Sequence, residues 1–339
     1  MKVDGGIGSD LHNAGAQARD LEDIGYAGGW TVETSHDPFL PLLLAAEHST
    51  HLEIGTSIAV AFARNPMTLA HLGWDLQSFS KGRFILGLGS QIKPHITKRF
   101  SMEWSHPAAR MREMVLAIRA IWDCWLNGSK LEFRGEFYKH TLMTPFFAPQ
   151  PADISEFGIP RIFVAGVGEL MTEAAGEVCD GFICHGFTTE KYLREVTIPA
   201  LQRGRAKVGR TLDGFEIVGP SFVVTGTDEA ELAAAATGTR QQIAFYGSTP
   251  AYRAVLELHG WGGLQDELNA LSKQGKWAEM GDVITDEILN NFAVVGEPEQ
   301  LAAELHRRYG DVVGRISFYA PYRSDPARWQ QVLTDLRAQ

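Results

Sequence analysis

The sequence predicts an α/β fold, a (β/α)8 TIM barrel with insertions after its fourth and seventh strands. Three observations predict it. Short apolar runs bounded by Gly, Ser, Thr or His recur eight times along the chain. Helical patterns separate them, and two of the gaps are too long for a single helix. Strands apolar on both faces that alternate with helices imply a parallel sheet, and eight such units close a barrel.

The strands are expected at 2–6 (KVDGG), 26–33 (YAGGWTVE), 52–60 (LEIGTSIAV) and 83–89 (RFILGLG), then at 161–166 (RIFVAG), 181–186 (GFICHG), 215–224 (FEIVGPSFVV) and 315–321 (RISFYAP). Between the first two, Ala14, Ala18, Leu21 and Ile24 fall at helical spacing, and Gly25 stops the helix. A second helix opens on Asn65 as N-cap and Pro66 in the first turn, and ends at Gly82. A third runs from Pro298 to Gly310 by the same grammar. The gap 90–160 holds a long helix over AARMREMVLAIRAIWDCWL and a hairpin over LEFRGEFYKHTL. The gap 225–291 holds several helical pieces joined by glycine-rich turns such as HGWGG. Long insertions in a barrel usually cover the active site or make oligomer contacts. With no repeat, low-complexity tract or linker, residues 1–339 are expected to form a single domain.

Composition bounds the function. Of 339 residues, 45% are hydrophobic and 21% charged, an ordinary balance for a globular protein that buries a large core. A formal net charge of -10 opposes nucleic-acid binding, which needs a basic footprint. No apolar run approaches the ~20 residues of a membrane span. The opening MKVDGGIGSD has no apolar signal region and is expected to enter the first strand directly. Cys124, Cys179 and Cys184 are odd in number and lack metal-ligand spacing, which points to core thiols in a reducing cytoplasm.

The rival fold is a doubly wound dinucleotide-binding sheet, whose fingerprint G-x-G-x-x-G follows the first strand. Here GLGSQI (87–92) and GVGELM (166–171) both lack the last glycine and follow the fourth and fifth strands.

In a (β/α)8 barrel, function gathers at the C-terminal strand ends. Those ends carry ETSHDP after strand two, TSIAVAFARNP around strand three and GLGSQIKPH after strand four, then AGVGE after strand five and CHGF at the end of strand six. Gly166 and Gly168 precede a helix whose free N–H groups and dipole favour a phosphate; the plainer reading is a tight strand-to-helix turn. His36 lies at the mouth beside Glu33 and Asp37, either as a proton donor or as a polar loop residue. No metal site is expected, because no two His or carboxylate residues share a strand end at ligand spacing. Lys93, His95, Lys98 and Arg99 gather positive charge just beyond the fourth strand. They read either as an anion-binding rim or as solvated surface charge.

Taken together, GTSIAVAFARNPMTLA with GRFILGLGS, then AGVG and AAGEVCDGFICHG, then VVGEPEQLAAEL, in that order and spacing, resemble the luciferase-like flavin and deazaflavin oxidoreductases, the superfamily of bacterial luciferase. The branch that uses coenzyme F420 is the most similar, and the resemblance covers nearly the whole chain. It implies a ring bound at the C-terminal mouth, its phosphate at Gly166, Val167 and Gly168. It also implies a bulge in strand three with a cis Ser57–Ile58 peptide behind the ring, and Ala59, Gly89, Ser90 and His185 as further cofactor-binding residues. In sugar-phosphate-oxidising members a histidine after strand two serves catalysis, and His36 is the match. Those members also carry an acid after the strand-four glycines, where this chain has Gln91 and Ile92, so a different substrate is implied. Lys93, His95, Lys98 and Arg99, with Arg64, are expected to screen the oligoglutamate tail of F420 or to bind an anionic substrate.

The implied activity is hydride transfer between the deazaflavin C5 and a small organic substrate. The alternatives are an FMN-dependent monooxygenase using reduced flavin and O2, and a non-catalytic flavin-binding protein. Phe245, Tyr246, Trp261 and Trp277 in the second insertion are expected either in the core or over the substrate. Family habit implies a homodimer through the helices near 10–24 and 66–80.

Overall fold

The computed structural model describes residues 1–220 and 222–338. Eight parallel strands form a closed ring: β1 (Lys2–Gly6), β2 (Gly28–Thr31), β3 (Glu53–Thr56), β4 (Phe84–Gly89), β5 (Arg161–Gly166), β6 (Gly181–Cys184), β7 (Glu216–Val218) and β8 (Arg315–Ser317). Each pairs with its sequence neighbours in this list, and β8 closes on β1 with Val3 opposite Ile316. The (β/α)8 barrel expected from the apolar runs is therefore the fold.

Helices coat the ring where capping signals place them. Helix α1 (Leu11–Ile24) starts where the Asp10 side chain accepts the His12 N–H, and stops at Gly25, whose φ of 99° suits glycine. Helix α2 (Phe39–His48) is an addition to the sequence reading. Its Pro41 lies in the first turn, where a missing N–H costs nothing. Helix α3 (Pro66–Phe79) is capped by Asn65, which accepts the Thr68 N–H. Helix α4 (Pro107–Asn127) is the long helix of the first gap, and the antiparallel pair Phe133–Arg134 and Lys139–His140 is its hairpin. Helix α5 (Glu169–Val178) follows β5, α6 (Ile198–Lys207) follows β6, and α7 (Glu229–Gly247) opens the second insertion. Helices α8 (Pro298–Tyr309) and α9 (Pro326–Arg337) complete the coat.

Two strands depart from expectation. The run 215–224 splits: Glu216–Val218 stays in the barrel, while Phe222–Val224 leaves it to pair in parallel with Ala293–Val295. That second partner, three residues between helices, carried no strand signal of its own. The pair supports a second apolar core over the mouth, where Val224, Ile243, Leu268 and Phe292 pack together.

The barrel interior is filled, as the fold requires. Trp30, Ile85, Phe163, Ile183 and Val218 form one layer, each burial contributing about 2 kcal/mol. Beneath it a charge network closes the N-terminal end. Arg315, fully buried, donates to Asp4 Oδ2 at 2.5 Å, Glu53 Oε2 at 2.6 Å and Glu216 Oε2 at 3.1 Å. Burial alone would raise the Glu53 carboxyl, but the charge of Arg315, with Lys2 and Arg161, outweighs it and holds it at about 2. The barrel interior is thus sealed at this end and opens toward the C-terminal strand ends. Among the described residues no helix is long and apolar enough to cross a membrane, and no three His, Cys, Asp or Glu side chains group as a metal site.

Candidate active site

The mouth is built first from the junction of β3 and β4. Thr56 Oγ1 donates to the Gly87 carbonyl at 2.6 Å and accepts the Gly87 N–H at 3.0 Å. A side chain at Gly87 would lie 1.7 Å from the Thr56 carbonyl oxygen, so only glycine lets the strands approach this closely. The Ser57–Ile58 peptide that follows is cis, as the family resemblance implied. Beyond it Ala59–Val60 resumes pairing, now with Leu88 and Gly89 of β4. Ser57 and Ile58, at this interruption, are both half-buried.

The loop after β2 is fastened to this segment. The Ser57 N–H donates to the Thr31 carbonyl at 2.7 Å, and the Glu33 N–H donates to the Ile58 carbonyl at 3.2 Å. Glu33 Oε2 accepts the Val60 N–H at 2.6 Å and Arg64 Nη1 at 2.6 Å. Arg64 Nη2 reaches Asp37 Oδ2 at 2.9 Å, and its guanidinium lies 5.3 Å from the centre of the Phe39 ring. His36 stands exposed between the two clamped carboxylates.

Arg64 therefore differs from the role expected for it. Two carboxylates already neutralise its charge, and its side chain is 14% exposed, so it holds a loop rather than meeting an anionic tail. Lys93, His95, Lys98 and Arg99 are all exposed, on the loop after β4 and one wide helical turn anchored by buried Ile96. Arg99 also donates to the Thr34 carbonyl and lies 4.8 Å from the Phe100 ring centre, joining the strand-four and strand-two loops.

The remaining expected residues divide by orientation. Gly168 caps α5 with φ -74°, and a side chain there would meet nothing within 4 Å. No side chain caps that helix end, so its first-turn N–H groups face outward. Gly166 is half-buried, whereas Val167 turns into the second core and its carbonyl accepts the Tyr192 hydroxyl at 3.2 Å. Ala59 is fully enclosed in the main core, and Gly89 is buried, its missing side chain occupied by Ile58 Cδ1, which would be 2.7 Å away. Neither Ala59 nor Gly89 offers side-chain surface to a ligand. Ser90 is half-buried and donates to the Gln91 carbonyl at 3.1 Å.

His185 closes the site over β6. Its Nδ1 accepts the Phe187 N–H at 3.0 Å, and its Nε2 faces the Tyr252 hydroxyl at 3.3 Å. Tyr246 and Tyr252 flank the ring at 4.6 and 4.7 Å between centres. Burial lowers its pKa to about 4, so it is neutral at pH 7. Tyr246 also pairs with Tyr319, the two hydroxyl oxygens 3.0 Å apart. The expected cover thus separates. Tyr246 reaches the mouth, Trp261 stacks on His259 at 4.5 Å, and Phe245 and Trp277 stay about half exposed on the outer face of the insertion. Tyr252 and Tyr319 went unnoticed in the sequence, although Tyr319 stands just past a strand end, where site residues collect.

A cleft of about 460 Å³ opens elsewhere, at the N-terminal end of the barrel among Lys2, Glu22, Tyr26, His51, Leu333 and Arg337. None of the expected site residues lines it. The strand-end mouth, with its polar groups and neutral histidine, remains the candidate site.

Comparisons with known proteins agree with this fold. An uncharacterized protein of Mycobacterium tuberculosis (strain ATCC 25618 / H37Rv) is 58% identical over 316 residues, covering 93% of this chain and 92% of that protein. The 5,10-methylenetetrahydromethanopterin reductase of Archaeoglobus fulgidus is 25% identical over 321 residues, 92% of this chain and 90% of the reductase. Among solved structures, the coenzyme F420-dependent tetrahydromethanopterin reductase of Methanopyrus kandleri superposes with a TM-score of 0.78 at 18% identity, covering 99% of this chain and 96% of that one. The sequence profile of the luciferase-like monooxygenases matches residues 2–314, and the chain belongs to that family.

Proposed function

We propose that this chain is an F420-dependent oxidoreductase, in which a hydride passes between the deazaflavin C5 and a small organic substrate. The observation that carries this reading is the strand-end mouth, with an open Gly168 at an uncapped helix end and exposed cations after β4. Relatives named as F420-dependent enzymes support the choice of cofactor.

The residues present fit such a group. Ser57 and Ile58 would back its ring. Gly166 and Gly168 would admit its phosphate to the α5 N–H groups. Lys93, His95, Lys98 and Arg99 would face its acidic tail. His36, held between Glu33 and Asp37, would hydrogen-bond or protonate the reacting oxygen. The second core over the mouth would exclude water.

Membership of the luciferase-like monooxygenases favours a second reading, an FMN-dependent monooxygenase. Incubation with reduced F420 or reduced FMN and a panel of carbonyl substrates, with and without O2, separates the two. Reoxidation of F420 coupled to substrate reduction without O2 supports the first. Turnover only with reduced FMN and O2 overturns it.

We also propose a homodimer. The exposed apolar side chains Leu40 and Leu43 lie on α2, with Phe79 on α3 and Leu11 on α1, so the contact would centre on α2. The thiols Cys124, Cys179 and Cys184 are unpaired, which supports a reducing, cytoplasmic setting.

A further inference from the structure

The mouth has two chemically different sides. The exposed cations Lys93, His95, Lys98 and Arg99 follow β4. In the closed ring β8 stands opposite β4, and the side spanning β6 to β8 is aromatic. There His185, Phe187 and Tyr319 come from the strand ends, Phe222 from the split strand, and Tyr246 and Tyr252 from the insertion. Phe222 stacks on Tyr319 at 4.6 Å and 17°, and Phe187 stacks on Phe292 at 4.5 Å. Gly186 lets the Tyr319 ring lie against the backbone, since a side chain there would be 3.3 Å from Tyr319 Cδ1. Phe187 and Phe222 are fully buried in the second core, whereas His185, Tyr246, Tyr252 and Tyr319 keep partial exposure above it, so these four form the wall's surface.

Proton counting shows what the wall offers. Each phenol has one proton to donate. Between Tyr246 and Tyr319, 3.0 Å apart, one hydroxyl donates to the other, and the acceptor keeps its own proton uncommitted. At His185 the Phe187 N–H occupies Nδ1, so the hydrogen-bond network assigns the neutral ring's proton to Nε2. Nε2–H then donates to the Tyr252 oxygen at 3.3 Å, which leaves the Tyr252 proton uncommitted as well. Burial pushes the Tyr252 hydroxyl to about 12 and raises Tyr319 further, so both remain protonated donors. Among the described residues the wall thus presents two O–H donors without a further partner, set in aromatic surface. Its six side chains carry no charge at neutral pH.

We propose that this wall is the substrate subsite, and that it selects an uncharged organic molecule with an apolar or aromatic body and a carbonyl or hydroxyl oxygen. The oxygen accepts from Tyr252 and from the Tyr246–Tyr319 pair, and the body packs on the half-buried rings of Tyr246, Tyr252 and Tyr319. A carboxylate, phosphate or ammonium placed here loses its hydration and finds no countercharge on the wall. This inference rests on the mouth being the cofactor and substrate site and adds the class of substrate.

The test uses four probes of one shape: acetophenone and 1-phenylethanol, which are uncharged, and benzoate and benzylammonium, which are not. Binding is followed by ligand-observed NMR, with the protein alone and with coenzyme F420 added. The variants Tyr246→Phe, Tyr252→Phe and Tyr319→Phe keep each ring and remove only the hydroxyl. Acetophenone and 1-phenylethanol should bind, and Tyr252→Phe should weaken them about three- to tenfold, the size of one neutral hydrogen bond. Benzoate and benzylammonium should show no binding that depends on the tyrosines. Three results would each overturn the proposal: no acetophenone binding up to about 10 mM, a weak-binding limit; equal binding by wild type and all three variants; or tyrosine-dependent binding of a charged probe as tight as that of acetophenone. The measurement with protein alone does not involve the cofactor, so its failure and a failure to bind F420 are separate results.

Discussion

Arg64 Nη1 lies 2.6 Å from Glu33 Oε2, the same oxygen that accepts the Val60 N–H at 2.6 Å. One buried carboxylate therefore joins the loop that bears His36 to the segment that follows the Ser57–Ile58 turn. Glu33 is 8% exposed, so its charge depends on Arg64 for compensation. Removing one partner of such a pair leaves the other buried and uncompensated. Arg64→Ala should lower unfolding stability by about 3 kcal/mol or more, measured by urea denaturation. Arg64→Lys should recover part of that loss, because one ammonium cannot bridge Glu33 and Asp37 as the forked guanidinium does. A loss under about 1 kcal/mol in Arg64→Ala would show the clamp to be an exposed pair of little weight.

Gly168→Leu isolates the proposed phosphate turn. The new side chain meets nothing within 4 Å, and φ of -74° suits any residue, so the fold should be unchanged. Cofactor affinity should fall at least about tenfold, because the side chain would occupy the approach to the α5 N–H groups. Normal cofactor binding by a folded Gly168→Leu protein would place the phosphate elsewhere.

The exposed cations after β4 give a salt signature. Lys98→Ser with Arg99→Ser should weaken a long oligoglutamate-tailed F420 more than FMN, and more at low salt than at high salt. Arg99 also holds the Thr34 carbonyl, so Lys98→Ser alone serves as the control that leaves the strand-two loop tied. Equal losses for both cofactors, independent of salt, would assign these residues to surface solvation.

His185 sets a pH window. Burial lowers its pKa from the ordinary 6.5 to about 4 in the folded chain. The unfolded chain therefore binds the extra proton first, and stability rises with pH across that interval. The contribution is complete above about 6.5 and is lost as the pH falls toward 4. Comparing urea midpoints of wild type and His185→Gln from pH 7 to 4 should show a shallower slope in the variant. Parallel curves would mean that His185 titrates as an exposed residue.

The barrel was legible because short, mainly apolar runs recur and each meets a helix-start or turn signal. Helix α2 was not, since FLPLLLAAEH has no polar face to mark a period and Pro41 looks like a breaker until its first-turn position is known. The local structure of the candidate site was legible, as in the Gly166–Gly168 turn that opens α5 and the interrupted strand-three segment. It was illegible where long-range pairing decides the role. Arg64 reads as a free cation until Glu33, 31 residues earlier, is found beneath it. Tyr252 and Tyr319 lie 67 residues apart by number and meet His185 and Tyr246 only because the insertion folds back over the mouth.

The proposed homodimer centred on α2 has a direct check. Light scattering should give twice the chain mass at micromolar concentration, and Leu40→Glu with Leu43→Glu should shift it toward the monomer. A wild-type monomer under those conditions would leave the apolar face of α2 unexplained and the site chemistry intact.

Titrating the purified chain with coenzyme F420 and, separately, with FMN tests the cofactor assignment most directly. Binding of F420 at about micromolar Kd, with FMN at least about tenfold weaker, is the predicted result. FMN binding as tightly as F420 or more so, or no binding of F420, would contradict it.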